Sequence, residues 1–325
     1  MDPVLLEDAC IVDVWKDNLD AEMQRIREIV ETHPVLGMDT EFPGEVYFPP
    51  RYPTGNYQYE RLKGNVDRLN IIQLGLTFAT PEGQLARPTC TWQFNFLFDV
   101  DVDESSSESI KLLTHAGIDL SRNKTEGIDP TYFAELLTTS GVVLNDDVTW
   151  TTFHSGYDFG YLLKILTCSE LPPTDNDFRH LMDLFFPTIF DLKIVSGTKS
   201  GLNKLADDMR VRRLGTMHQA GSDSMVTCLT FFKYVERELQ GTIDKKYNGK
   251  VAGLGMDLGI LDPSYEFYLG QHGMGVYGGM GAATGFPAIP GMGQAMGAAG
   301  GMMGEMHAPG DSRQEQWGMG AGKGM

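Results

Sequence analysis

The sequence predicts an α/β domain whose sheet mixes strand directions, followed by a segment that builds no core. Three observations predict it. Strand-like runs come first in close succession, at 35–44, 69–79 and 91–98, before helices and strands begin to alternate. The apolar spacing switches between a period of two and steps of three and four. From Leu261 onward the composition changes: 18 of the 38 glycines and 9 of the 17 methionines fall there. We read 1–260 as one globular domain and 261–325 as a low-complexity tail that cannot pack and is expected to be disordered. Its methionines would equally suit a partner surface.

In order along the chain, residues 17–33 read as an amphipathic helix, with Leu19, Met23, Ile26, Ile29 and Val30 on one stripe and Pro34 at its end. The strand at 35–44 follows at once. Residues 45–67, rich in Tyr, Pro and Gly, read as a long loop beside it. Next come an apolar β-branched strand at 69–79 and a half-buried one at 91–98, where Trp92, Phe94, Phe96 and Phe98 alternate. Ser105 and Glu108 have capping-box spacing at the head of a helix over 105–115. Asp129-Pro130 caps and opens another helix, closed by Gly141. A strand at 148–153 leads through Gly156 into a helix striped by Leu162, Leu163 and Leu166. A helix at 178–186 and a short strand at 188–192 precede a last helix to about 238. Gly221-Ser222 reads as the turn into it, and Met225, Leu229, Phe232 and Val235 face inward.

The chain of 325 residues carries a net charge of −18. The tail holds five acids and two bases, which leaves about −15 on the domain. That balance argues against non-specific adhesion to nucleic acid or an anionic membrane, though bound cations and a local basic patch can offset a mean. One basic run exists: Lys193, Lys199, Lys204, Arg210, Arg212 and Arg213. It reads equally as a solvated helix face or as a rim that guides phosphates. Four scattered cysteines without a C-x-x-C fit a reducing compartment and no zinc site. No secretory leader and no run of 18 apolar residues is present, so cytosol or nucleus is the expected location and no membrane is expected as a partner.

Within this frame the acids stand out. Asp39 and Glu41 are two apart on an apolar strand and therefore share a face. Two such charges about 5 Å apart repel by roughly 3 kcal/mol at an effective dielectric near 20. A pair of this kind shares a proton or holds a cation, and oxygen ligands suit a hard divalent ion. Solvated strand ends carry the same pattern, so company decides the matter. Asp158 lies in the first turn of the helix after Gly156, where the bland reading is a dipole-favoured helix start. His218 precedes Asp223 by five positions in the last block. A histidine beside an acid-lined site is a proton acceptor. Asp191, at a strand end, matches no position of this pattern, and Phe42 reads as a core aromatic or a base-stacking one.

The order of Asp39 and Glu41, then Asp158, then His218 and Asp223 resembles the DEDD exonuclease superfamily in its DEDDh branch. The flanking segments GMDTEFPG, IIQLGLTF, TWQFNF, FHSGYDFGYLLK and HQAGSDS are more specific. They resemble the CAF-type (Pop-type) poly(A) deadenylases, catalytic subunits of the Ccr–Not complex, over roughly residues 10–240. The resemblance implies a ribonuclease-H-like mixed sheet flanked by helices. It implies a 3′→5′ exoribonuclease that shortens mRNA poly(A) tails to release 5′-AMP. Asp39, Glu41, Asp158 and Asp223 would be ligands of two divalent ions (Mg2+ or Mn2+), and His218 the general base. It further implies poly(A) RNA, a large scaffold protein and a second nuclease of the complex as partners. Two other readings stay open: an exonuclease acting on other RNA or DNA 3′ ends, and a scaffold subunit that holds a second nuclease.

Overall fold

The computed structural model describes residues 10–50 and 56–254, together with the backbone of 317–318. The expectation of a disordered tail at 261–325 lies otherwise outside the described residues.

Six strands form one sheet: β1 (Cys10–Val14), β2 (Val35–Glu41), β3 (Gln73–Ala79), β4 (Thr89–Asn95), β5 (Thr149–Thr152) and β6 (Thr188–Asp191). Their spatial order is β1-β4-β3-β2-β5-β6. β3 runs antiparallel to both its neighbours, and every other pairing is parallel. This is the mixed sheet of a ribonuclease-H-like fold. β1 was not expected. It is a five-residue edge strand, too short to stand out as a run and interrupted by Asp13, and its pairing with β4 is what defines it.

Around the sheet lie α1 (Leu19–Ile29), α2 (Tyr57–Val66), α3 (Ser107–His115), α4 (Leu120–Glu126), α5 (Pro130–Thr138), α6 (Gly156–Thr167), α7 (Asp175–Phe185), α8 (Leu192–Ser196), α9 (Leu202–Asp208) and α10 (Ala220–Glu238). A two-residue strand β7 (Thr242–Ile243) pairs with β8 (Trp317–Gly318). None of the described helices is long and apolar enough to cross a membrane.

The loop expected over 45–67 contains α2. Its core-facing residues, Tyr59, Leu62 and Val66, are spaced by three and four but sit among Arg61, Gly64 and Asn65, which hide the stripe. Local caps were partly misjudged as well. Asp129 does cap α5, accepting from the amides of Thr131 and Tyr132 at 2.8 and 2.9 Å. Ser105 and Glu108 form no capping box: the residue before α3 is Ser106, whose hydroxyl meets the Glu108 carboxylate instead.

The two sheet faces differ in chemistry. One packs Leu36, Met38, Leu74, Leu76, Phe78, Trp92 and Phe94 into the main core. The other presents Gly37, Gly75, Thr77, Thr91 and Gln93 to α10. That helix lies so close that a β-carbon on Gly75 would sit 2.0 Å from the Ala220 carbonyl oxygen, and one on Gly37 2.4 Å from that of Ser224. Glycine at both positions is the condition for the approach. Hydroxyls complete the contact, with Thr77 Oγ1 at 2.8 Å from Thr91 Oγ1 and 2.9 Å from Ser224 Oγ.

Candidate active site

β2 supplies the first two acids. Asp39 and Glu41 point to the α10 side of the sheet, opposite Gly75 and Gln73 of β3. Both are half-buried. Asp158 enters from the first turn of α6. It does not cap that helix. Its Oδ1 reaches across to β2 and accepts from the Thr40 amide at 2.9 Å and the Thr40 hydroxyl at 2.7 Å. Two hydrogen bonds thus pin an acid from residue 158 onto the residue between Asp39 and Glu41.

Asp223 comes from the first turn of α10, and the turn before this helix falls at Met217-His218, with Gln219 as the residue that flanks the helix, rather than at Gly221-Ser222. His218 has a positive φ of 61°, an unfavourable region for a side chain of its size. Its amide donates to Asp223 Oδ2 at 2.8 Å, which helps hold it there. Glu41, His218 and Asp223 each bring one ligand-type atom within 4.8 Å of one another.

The electrostatics of this cluster are unfavourable without a cation. Burial pushes the Asp39 carboxyl well above its usual range, and the charges of Asp223, Asp158 and Glu41 push it further. Glu41 is raised in the same way, by burial and then by Asp223 and Asp158. Burial also pushes Asp158 up to about 6, against the pull of the two Thr40 hydrogen bonds. Carboxylates raised in this way, with oxygens facing one another, are a fitting donor set for hard divalent cations.

One protein cation moderates the repulsion. Arg213 lies 2.6 Å from Asp223 Oδ1 and lowers both Asp39 and Glu41. It belongs to the basic run, yet it faces inward, and its guanidinium also donates to Ser222 Oγ at 2.9 Å. Nothing in the local sequence separates it from Arg212, which is exposed. Phe42 stacks on Tyr157 at 5.2 Å between ring centroids and lies 5.1 Å from Tyr161, so its partners here are core aromatics.

A nest of acids at the end of a ribonuclease-H-like sheet places the chain among nucleases. Comparisons narrow the class. Residues 14–135 match the model of the CAF1 family ribonucleases. The probable CCR4-associated factor 1 homolog 7 of Arabidopsis thaliana is 48% identical over 265 residues, spanning 77% of this chain and 95% of that protein. The poly(A) ribonuclease pop2 of Schizosaccharomyces pombe is 44% identical over 257 residues, 77% of each chain. Among solved structures, S. pombe Pop2p in its Mg2+- and Mn2+-bound form superposes with a TM-score of 0.73 at 44% identity, over 75% of this chain and 99% of that one. A chain in the structure of the yeast NOT1 MIF4G domain co-crystallised with CAF1 gives 0.67 at 32% identity, over 77% of this chain and 100% of that one. The chain belongs to the CAF1 family of ribonucleases.

Proposed function

We propose that this protein is a 3′→5′ exoribonuclease that shortens the poly(A) tails of mRNA and releases 5′-AMP. The observation that carries the chemistry is the convergence of Asp39, Glu41, Asp158 and Asp223, with His218 at its edge. The substrate follows from the relatives, of which one is named a poly(A) ribonuclease.

Asp39, Glu41, Asp158 and Asp223 would hold two divalent ions, Mg2+ or Mn2+, the metals found with the S. pombe relative. Such a pair would supply Lewis acidity to a displacement at phosphorus. His218, whose ring lies within 4.8 Å of the Glu41 and Asp223 carboxylates, would take the proton of the water that bonds to phosphorus. The bond from phosphorus to the 3′ oxygen breaks, and that oxygen, protonated from solvent, leaves as the new 3′ hydroxyl. Arg213 keeps Asp223 oriented and offsets charge at the rim.

The co-crystal of a CAF1 relative with NOT1 supports a scaffold of that kind as partner, and the names of the relatives support a second nuclease in the same Ccr–Not assembly. The location that goes with this role is cytoplasm and nucleus. The test is a 5′-labelled RNA ending in oligo(A), incubated with Mg2+, Mn2+ or chelator. A ladder of single-nucleotide steps that chelator abolishes is expected. No cleavage with either metal would leave only the scaffold role.

A further inference from the structure

The N-terminus of α10 is not capped by its own side chains. The first amides of a helix need acceptors, and here the sheet provides them. The Ala220 amide donates to Gln73 Oε1 at 3.3 Å, and the Gly221 amide to Gln93 Oε1 at 2.9 Å. The nitrogens of the same two glutamines then converge on the residue before the helix. Gln73 Nε2 and Gln93 Nε2 donate to Gln219 Oε1 at 3.3 and 3.0 Å. Gln219 Nε2 in turn donates to the Ala116 carbonyl at 2.9 Å. Asn95 and Asp13 fill the remaining places: Gln73 Nε2 donates to Asn95 Oδ1 at 2.7 Å, and Gln93 Nε2 to Asp13 Oδ1 at 2.8 Å.

We infer that the side-chain amides of Gln73, Gln93 and Gln219 form a lattice that positions His218 for its role in the reaction. This inference rests on the nuclease reading above. His218 sits directly before Gln219 in a strained conformation, and such a conformation persists only when its surroundings over-determine it. Asp223 anchors it from one side through the His218 amide. The lattice anchors it from the other, by tying down the side chain of Gln219 and the amides of the two residues that follow. Asp223 itself has a separate hold through Arg213 and lies one turn into the helix. The three glutamines are therefore positioning residues, whose effect passes through the imidazole. A cheaper design for a helix on a sheet would be apolar: buried amides add to packing only if all are satisfied, and here their partners form a closed set.

The test is a double-mutant cycle on the full chain, with labelled oligo(A) RNA and saturating Mn2+. Gln93→Met preserves the volume and removes the amide. It should lower kcat by about 10–100-fold, the cost of a misplacement of order 1 Å, and leave KM within about twofold. In a His218→Ala background the same substitution should cost less than about threefold, because the group it places is gone. An equal loss in both backgrounds, or a Gln93→Met enzyme at full kcat, would overturn the inference. Should Gln93→Met not fold, Gln219→Met leaves the sheet intact and carries the same expectations. A His218→Ala enzyme at the wild-type rate is a different failure: it would overturn the base assignment first, and the positioning inference with it.

Discussion

Two groups of buried carboxylates lie close together in this protein and have opposite surroundings. Asp191, at the end of β6, is fully buried, at 0% exposure. It accepts from the amides of His154 and Lys193 at 2.9 Å each, Ala252 at 3.0 Å and Ser155 at 3.1 Å. Backbone donors satisfy both of its oxygens, and it ties the start of α6 to α8 and to the segment after α10. Asp39 and Glu41, at the end of β2, are less buried and far less satisfied. Burial raises both, the charges of neighbouring acids raise them further, and only Arg213 acts the other way. A buried acid ringed by donors is a structural post. A buried acid ringed by acids has a place for cations. Both lie at strand ends; what separates their roles is who the neighbours are.

The contrast breaks most sharply by substitution. Asp39→Ala should abolish cleavage of oligo(A) while leaving the melting temperature unchanged or slightly higher, since one like charge has been removed. An enzyme that keeps its rate would show that the acid nest is not where the chemistry happens. Asp191→Ala should do the reverse. Each buried donor left unpaired costs about 1–3 kcal/mol, so melting should fall by at least about 5 °C, and activity should fall with the fold. Unchanged melting would mean that the hydrogen bonds to Asp191 add nothing to stability.

A smaller effect sharpens the same contrast through pH. Folding raises the carboxyls of Asp39, Glu41 and Asp158, so their penalty is absent while they are protonated and grows as pH rises past their unfolded values. For Asp158 that window runs from the ordinary value of 3.8 to about 6, and for Asp39 and Glu41 it likewise opens upward from their ordinary values. Cations relieve the penalty. The gain in melting temperature on replacing chelator with Mn2+ should therefore be larger at pH 7.5 than at pH 5, and Asp39→Asn should shrink the difference. An identical gain at both values would count against the nest as the binding site. The smallest effect is expected from removing residues 261–325: this takes away only the two-residue pairing of β8 with β7, so melting and cleavage should stay nearly unchanged. A large loss in either would show that the Gly/Met-rich segment belongs to the folded unit.

Much of the site could be read in the chain because its motifs are local. Asp39 and Glu41 sit two apart on an apolar strand, Asp158 lies in the first turn of the helix that Gly156 opens after a bend at Phe153-His154, and His218 precedes Asp223 by five. Alone each pattern also has an ordinary structural reading; their order and flanking segments, which resemble the DEDDh exonucleases, single them out. The helix over 57–66 and the edge strand at 10–14 were hidden, because charged and small residues interrupt their stripes and only packing against α6 and β4 defines them. Arg213 was equally hidden among basic neighbours. So was the part played by Gln73, Gln93 and Gln219, since an isolated glutamine in a strand announces no partner.

The sequence by itself determined the mixed α/β class, the identity and order of the candidate acids and histidine, and the composition break at Leu261. Only the tertiary structure decided which acids face one another, which cation turns inward, and that Asp191 is held by donors while Asp39 is crowded by charge. The physical reason is range. Periodicity and caps are settled within a few residues, whereas hydrogen bonds such as Asp158 to Thr40 join positions more than a hundred apart, and such partners exist only once the sheet has closed.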